Sequence, residues 1–261
     1  MSIILEPGQI EASAVTPPFL HLPAANLFEL RAARLEQLAE GNALGDYLRL
    51  IARLCRIQQQ LVDNPPGGMP VAEARQRLCM DHGLPPLAAD SMVREGPWLV
   101  WLQALLEHLS GETRGPMGEA LQVLRGSDDN QRKGWGIALL AGHYDGVPAA
   151  LVPFLGAALQ AAWSSWLLAL PAHQLKPAGS LAQCPACGSP AMAGVVRNRG
   201  KHNACVTWPV RCVPVSGMWC GSSVCTASRA RICVTPALRM IAMRQAKRRC
   251  ARNAAPGATA T

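Results

Sequence analysis

Leu27-Phe-Glu-Leu-Arg-Ala-Ala-Arg-Leu-Glu-Gln-Leu-Ala-Glu-Gly-Asn-Ala-Leu-Gly-Asp-Tyr-Leu-Arg49 is the stretch whose reading decides the fold. Leu27, Leu30, Ala33, Arg34, Leu35 and Leu38 recur at helical spacing and give a broad stripe, so a helix is predicted from about Ala24 to Glu40. Gly41 suits the C′ position, where a left-handed backbone ends a helix. Asn42 can cap a second helix running through about Leu61. Tyr47, Leu48, Ile51, Leu54, Cys55, Gln58, Leu61 and Val62 lie near the 3.6 period along it. The turn between the two is short, so they are predicted to pack antiparallel.

The same texture continues outward. Residues 1–23 are Pro-rich (Pro17, Pro18, Pro23) and read as an extended segment. Asn64-Pro-Pro-Gly-Gly68 is a firm break. A short helix over 70–82 and a second Pro-rich break over 83–91 follow. Pro97 is placed at the N1 position of a helix reaching Leu109, with Trp98, Trp101, Leu102, Leu105 and Leu106 inward. Further helices are predicted at 116–125, 128–142 and 148–170. No alternating strand pattern occurs before residue 180, so the region 24–178 reads as an all-α domain. Val147–Leu170 carries no charge over 24 residues, long enough to span a bilayer. Pro148, Pro153, Gln160, Ser164, Ser165 and many alanines speak against a span and for a buried core helix.

Charge divides the chain in two. All 17 acidic residues lie at or before Asp145. Residues 1–183 hold 13 Lys+Arg and balance at −4, whereas 184–261 hold 12 Lys+Arg with no acid and balance at +12. A basic tail points to nucleic acid or an acidic membrane, provided the tail is a selected sequence. The N-terminus MSIILEPGQIEAS lacks a basic n-region and is interrupted by Glu6 and Glu11, so no export signal is read. A reducing, cytoplasmic setting follows, in which clustered cysteines are metal ligands rather than disulfides. Of ten cysteines, Cys55 and Cys79 sit in helical patterns and eight fall between 184 and 250.

Gln183-Cys-Pro-Ala-Cys-Gly-Ser189 is a Cys-x-x-Cys knuckle followed at once by glycine. Cys184 and Cys187 on a tight turn can chelate one ion while backbone N–H groups point at the sulfurs. They are two ligands of a site that needs four, iron and zinc suiting four thiolates almost equally. Cys205, Cys212, Cys220, Cys225 and Cys233 follow, none spaced as a second Cys-x-x-Cys. A thioredoxin-like redox pair is the rival reading, but no βαβ pattern surrounds the motif.

Leu27–Arg49 resembles a helix pair of the FdhE family of formate dehydrogenase accessory proteins, and Cys184-Pro-Ala-Cys-Gly-Ser-Pro190 looks like that family's first metal knuckle. The resemblance covers about residues 17–203. It implies a mainly α fold: an N-terminal helical domain, then a rubredoxin-like or zinc-ribbon module whose first half is 179–203. It also implies a cytoplasmic, non-enzymatic protein that binds the catalytic subunit of formate dehydrogenase and holds iron (or zinc) in its knuckles.

After Asn203 the chain departs from the family pattern, and the departure has a form. Reading each codon from the last base of one codon and the first two of the next, Trp208–Pro209 must give Ala. Met218–Trp219 and Trp219–Cys220 must each give Val. The shifted frame then permits Arg-Tyr-Leu-Ala-Cys-Ser-Leu-Cys-Ala-Cys-Glu-Trp-His-Val-Val-Arg across Cys205–Gly221, which restores a second knuckle of the family. Gly221–Ser228 and Arg252–Thr259 permit a third and a fourth. One frame change near Asn203–Cys205 is therefore inferred. On this reading 204–261 is an out-of-frame, disordered tail, its basic charge is an accident rather than a nucleic-acid footprint, and stable metal binding by this chain is not expected.

No catalytic constellation emerges. His21, His82, His108, His143, His173 and His202 lack a nucleophile partner. Asp46 beside Tyr47 reads as a helix-start carboxylate, and Arg31 and Arg34 as a solvated face. Two rivals stand beside the accessory-protein reading: a basic zinc-ribbon protein binding nucleic acid, and a protein anchored in a membrane through 147–170.

Overall fold

The computed structural model describes residues 20–171, 175, 183–190, 195–199, 202–209 and 219–220, all within the first of the chain's two units, Met1–Val224. Eight α-helices are found among them: α1 (Leu27–Ala39), α2 (Gly45–Asp63), α3 (Glu73–Asp81), α4 (Ala89–Glu95), α5 (Leu99–His108), α6 (Gly115–Gly126), α7 (Asp129–Ala141) and α8 (Val152–Ala169). Single 3₁₀ turns at Tyr144–Gly146 and Ala149–Leu151 lead into α8. Four strands, β1 (Leu20–His21), β2 (Val195–Arg199), β3 (His202–Pro209) and β4 (Trp219–Cys220), form an antiparallel sheet in the order β1-β4-β3-β2.

The helical part is organised around α8. Twelve of its eighteen residues are buried, from Phe154 to Leu167, and it packs against α2, α5 and α7. Ala157 and Ala161 are buried and Leu168 is half-buried, as the core-helix reading predicts. Length and composition alone would let Ala149–Ala169 cross a membrane, but most of that segment is enclosed by the protein's own residues. Trp98, Trp101, Leu102, Leu105 and Leu106 of the α5 segment are buried as predicted. The rings of Trp101 and Trp166 meet edge-on with centroids 6.2 Å apart, and Trp163 and Trp166 are 5.0 Å apart. Each large apolar side chain so enclosed contributes ~1.5–3 kcal/mol of transfer free energy.

The helix pair forms as read, with corrections. Gly41 takes the left-handed conformation, φ 64°, so the predicted stop is correct. Asn42 does not cap α2: its Oδ1 accepts from the Leu44 N–H at 2.9 Å, closing a turn one step before the helix. The inward face of α1 is Phe28, Ala32 and Ala39, with Leu35 half-buried. Leu30 and Leu38 of the predicted stripe are exposed. Two apolar stripes overlap on this helix, and the pairing with α2 selects the one containing the larger Phe28. On α2, Leu54, Cys55, Gln58 and Leu61 are buried, while Tyr47 at the end of the stripe is half exposed.

Three further departures concern boundaries. The break predicted over 83–91 contains the start of α4, where Ala89, Met92 and Val93 are buried; proline density hid a seven-residue helix. Pro97 lies in the turn ahead of α5 rather than at its first position. Within the segment read as a disordered tail, Ala204–Pro209 belongs to β3 and Trp219–Cys220 forms β4. Val206, Thr207 and Trp208 are strand formers by their branched or aromatic side chains, and β3 pairs with β2 from Val195↔Thr207 to Arg199↔His202. The rest of 204–261, and the extended segment 1–19, lie outside the described residues.

Gly136 on α7 marks a close approach of that helix to Trp98 and Val93. A Cβ placed there would lie 2.7 Å from Cζ2 of Trp98 and 3.0 Å from Cγ2 of Val93, whereas one at Gly134 on the same helix would meet nothing within 4 Å. Overpacking of a close-packed site costs about 1–3 kcal/mol, against a helix-propensity gain of up to ~1 kcal/mol for Gly→Ala. Gly136→Ala is therefore expected to lower stability in urea titrations and Gly134→Ala to leave it unchanged or raise it.

Candidate functional site

The sequence-predicted cysteines are brought together by a closed turn. An isolated bridge joins Gln183 to Pro190. Inside it the Cys184 N–H donates to Ser189 O at 3.0 Å and the Gly188 N–H to Cys184 O at 2.8 Å. Gly188 is left-handed at φ 74°, and a Cβ there would press on Cγ of Pro85 at 3.2 Å. The glycine after the second cysteine is thus needed both for the turn and for its seat. Cys184 and Cys187 are both buried.

The seat is the segment between α3 and α4. Leu87 N–H donates to Ala186 O at 2.8 Å and Ala89 N–H to Cys187 O at 3.0 Å. From the other side, Nε1 of Trp163 on α8 donates to Leu87 O at 3.1 Å. Leu87 and Trp163 are both fully buried. In a dry interior each of these backbone groups needs its partner, so the central helix, the α3–α4 segment and the knuckle are joined in one chain of hydrogen bonds.

As a metal centre the described residues are half complete. A closed tetrahedral iron or zinc site requires four donors, and among the described residues no group of three or more His, Cys, Asp or Glu side chains converges. Cys205 lies on β3 and Cys220 on β4; Cys212, Cys225, Cys233 and Cys250 lie outside the described residues. The described donor set therefore does not fit the metal by itself. Asp46 is exposed and paired with Arg49 at 2.7 Å in the first turn of α2, which agrees with a helix-start carboxylate. His82, His108 and His143 are exposed and dispersed.

A second site was not legible as one. A cavity of about 400 Å³ opens between α1, α2, α7 and α8. Arg31, read as part of a solvated face, instead lines this cavity and donates from Nη1 to Oε1 of Gln160 at 3.1 Å. Its guanidinium also lies 5.6 Å from the Phe28 ring centroid. Gln58, 2% exposed, donates from Nε2 to Ala157 O at 2.9 Å and to Oε1 of Gln160 at 3.3 Å. Arg34, one turn on, is exposed and bonded to Gln37 as expected. The available signal was a glutamine inside each of two apolar runs, Gln58 and Gln160, facing an arginine on the neighbouring helix. Burial pushes the Cys55 thiol above the ordinary thiol range against the opposing pull of Arg31, and it lowers Arg31 from the ordinary guanidinium value.

Residues 16–180 match the family described as FdhE, N-terminal. Over 203 residues the chain is 98% identical to a protein FdhE homolog of Pseudomonas putida, covering 78% of this chain and 64% of that protein. Over 199 residues it is 56% identical to the homolog of Pseudomonas aeruginosa, covering 76% of this chain and 64% of that one. The chain thus spans less than two thirds of the length of these curated relatives. The crystal structure of the FdhE protein from Pseudomonas aeruginosa superposes with a TM-score of 0.68 at 50% identity, over 78% of this chain and 69% of that chain.

Ala89 is the first residue of α4, a position where proline is tolerated but lacks the N–H that holds Cys187 O. Ala89→Pro is expected to raise the thiol-labelling rate of Cys184 and Cys187 at least tenfold, read by mass spectrometry. In the unsubstituted chain Cys55, buried and with its thiol pushed above the ordinary range by that burial, should label more slowly than half-buried Cys79 from pH 7 to 9, since reagent reaches it less readily and its reactive thiolate is disfavoured.

Proposed function

The chain belongs to the FdhE family, and from that premise we propose that it is a non-enzymatic, cytoplasmic accessory protein in the formation of active formate dehydrogenase, acting by binding the catalytic subunit. The observation that carries this reading is that the family match over residues 16–180 spans the whole helical domain, whose core is built mainly from its helices. On this reading the recognition surface lies on that domain.

The metal-dependent part is proposed to be incomplete. The reading frame changes near Asn203–Cys205, so a rubredoxin-like or zinc-ribbon module keeps Cys184 and Cys187 and loses its remaining ligands. Support comes from the forced Ala and Val-Val of the shifted frame and from the 203-residue extent of a 98% identical match. A structural metal site contributes folding free energy only when its donor set is whole. The basic residues of 184–261 are then no nucleic-acid surface, and α8 is a core helix rather than a membrane anchor.

Complementation of a strain lacking its FdhE protein tests this. The 261-residue chain is expected not to restore formate dehydrogenase activity, and the same gene with the frame restored after Asn203 is expected to restore it. Equal rescue by both would show that the residues after Asn203 are dispensable.

A further inference from the structure

We propose that the cavity between α1, α2, α7 and α8 binds a small-molecule monocarboxylate with a hydrocarbon tail, the carboxylate paired to Arg31 and the tail enclosed by Leu54, Ile51, Ala157 and Val152. This goes beyond the accessory role and does not rest on it.

Charge is the first ground. Among the described residues, Arg31 is the one charged residue lining the cavity. Among the described residues no carboxylate pairs with it; its hydrogen bond goes to the neutral amide oxygen of Gln160. A guanidinium presents five donors in a planar fork that matches a carboxylate. Gln160 takes a bond from one nitrogen and, itself held by Gln58, fixes the orientation of that fork. Lining a cavity with one cation and no counter-charge is costly unless an anion enters.

Shape is the second. About 400 Å³ falls in the ~300–1,000 Å³ range of small-molecule sites, which are mainly apolar with a few fixed polar groups. Gly156 on α8 lines this space, and a Cβ built there meets nothing within 4 Å. A side chain added at that position would therefore project into open space. Tyr47 and Tyr144, both half exposed, also line it and supply amphipathic walls for the part of a ligand nearer solvent.

Calorimetric titration of the full chain with octanoate, octanol and acetate tests the proposal, with two variants. Arg31→Gln removes the charge and keeps a polar amide on α1. Gly156→Leu fills the cavity from a position with free space, so its fold is expected to persist, as a thermal melt will read. Octanoate is expected to bind one per chain, at least tenfold more tightly than octanol or acetate. That binding should fall at least tenfold in Arg31→Gln and vanish in Gly156→Leu. Absence of octanoate binding at millimolar concentration, octanol binding as tightly as octanoate, or binding unchanged in folded Gly156→Leu would each overturn it.

Discussion

Helix α8 has no charged side chain from Val152 to Ala169, and a helix of that composition must be enclosed. The rest of the described structure answers that demand. The helices α2, α5 and α7 cover it, and Trp101 of α5 meets its Trp166 edge-on. Its few polar groups then decide where the domain acquires features beyond a core. Trp163 Nε1 reaches outward to the carbonyl of Leu87, and through that segment the knuckle of Cys184 and Cys187 is seated. Gln160 reaches the other way, to Gln58 and Arg31, and forms the polar wall of the cavity. The requirement that buried polar groups be partnered therefore links one apolar helix to both candidate sites.

Much of this was legible in the sequence because it depended on period and punctuation. The α1–α2 pair, the inward face of α5 and the burial of α8 followed from spacing, from Gly41, and from the lack of charge beyond Val147. The failures share a cause. Phe28 and Leu30 lie on competing stripes of one helix, and only packing against α2 chooses between them. The prolines at 85 and 86 do break α3 from α4, yet α4 begins three residues later because Ala89 can donate its free N–H to the knuckle. Local propensity does not encode a partner 98 residues away.

The sites follow the same division. The turn of Cys184 and Cys187 was readable because Cys-x-x-Cys followed by glycine is a local motif. That the knuckle is anchored on the helical domain was not, since it depends on Leu87, Ala89 and Trp163, none of which carries a motif. Arg31 was misassigned for the reason that makes it interesting. Arginine on a helix surface is ordinarily solvated, and only the depth of Gln58 and Gln160 on the facing helices converts that surface into a wall. An FdhE chain whose metal module is incomplete would still retain this cavity and the face that carries it, since both are built wholly within the part matched to the family.

Native-state hydrogen exchange measures whether α8 and the Leu87–Ala89 segment form one buried cooperative unit. Amides of Leu155–Leu167 and those of Leu87 and Ala89 are expected to exchange only through global unfolding, with the same free energy of opening. Exchange of Leu87 and Ala89 at rates typical of a solvated loop, while α8 stays protected, would contradict it.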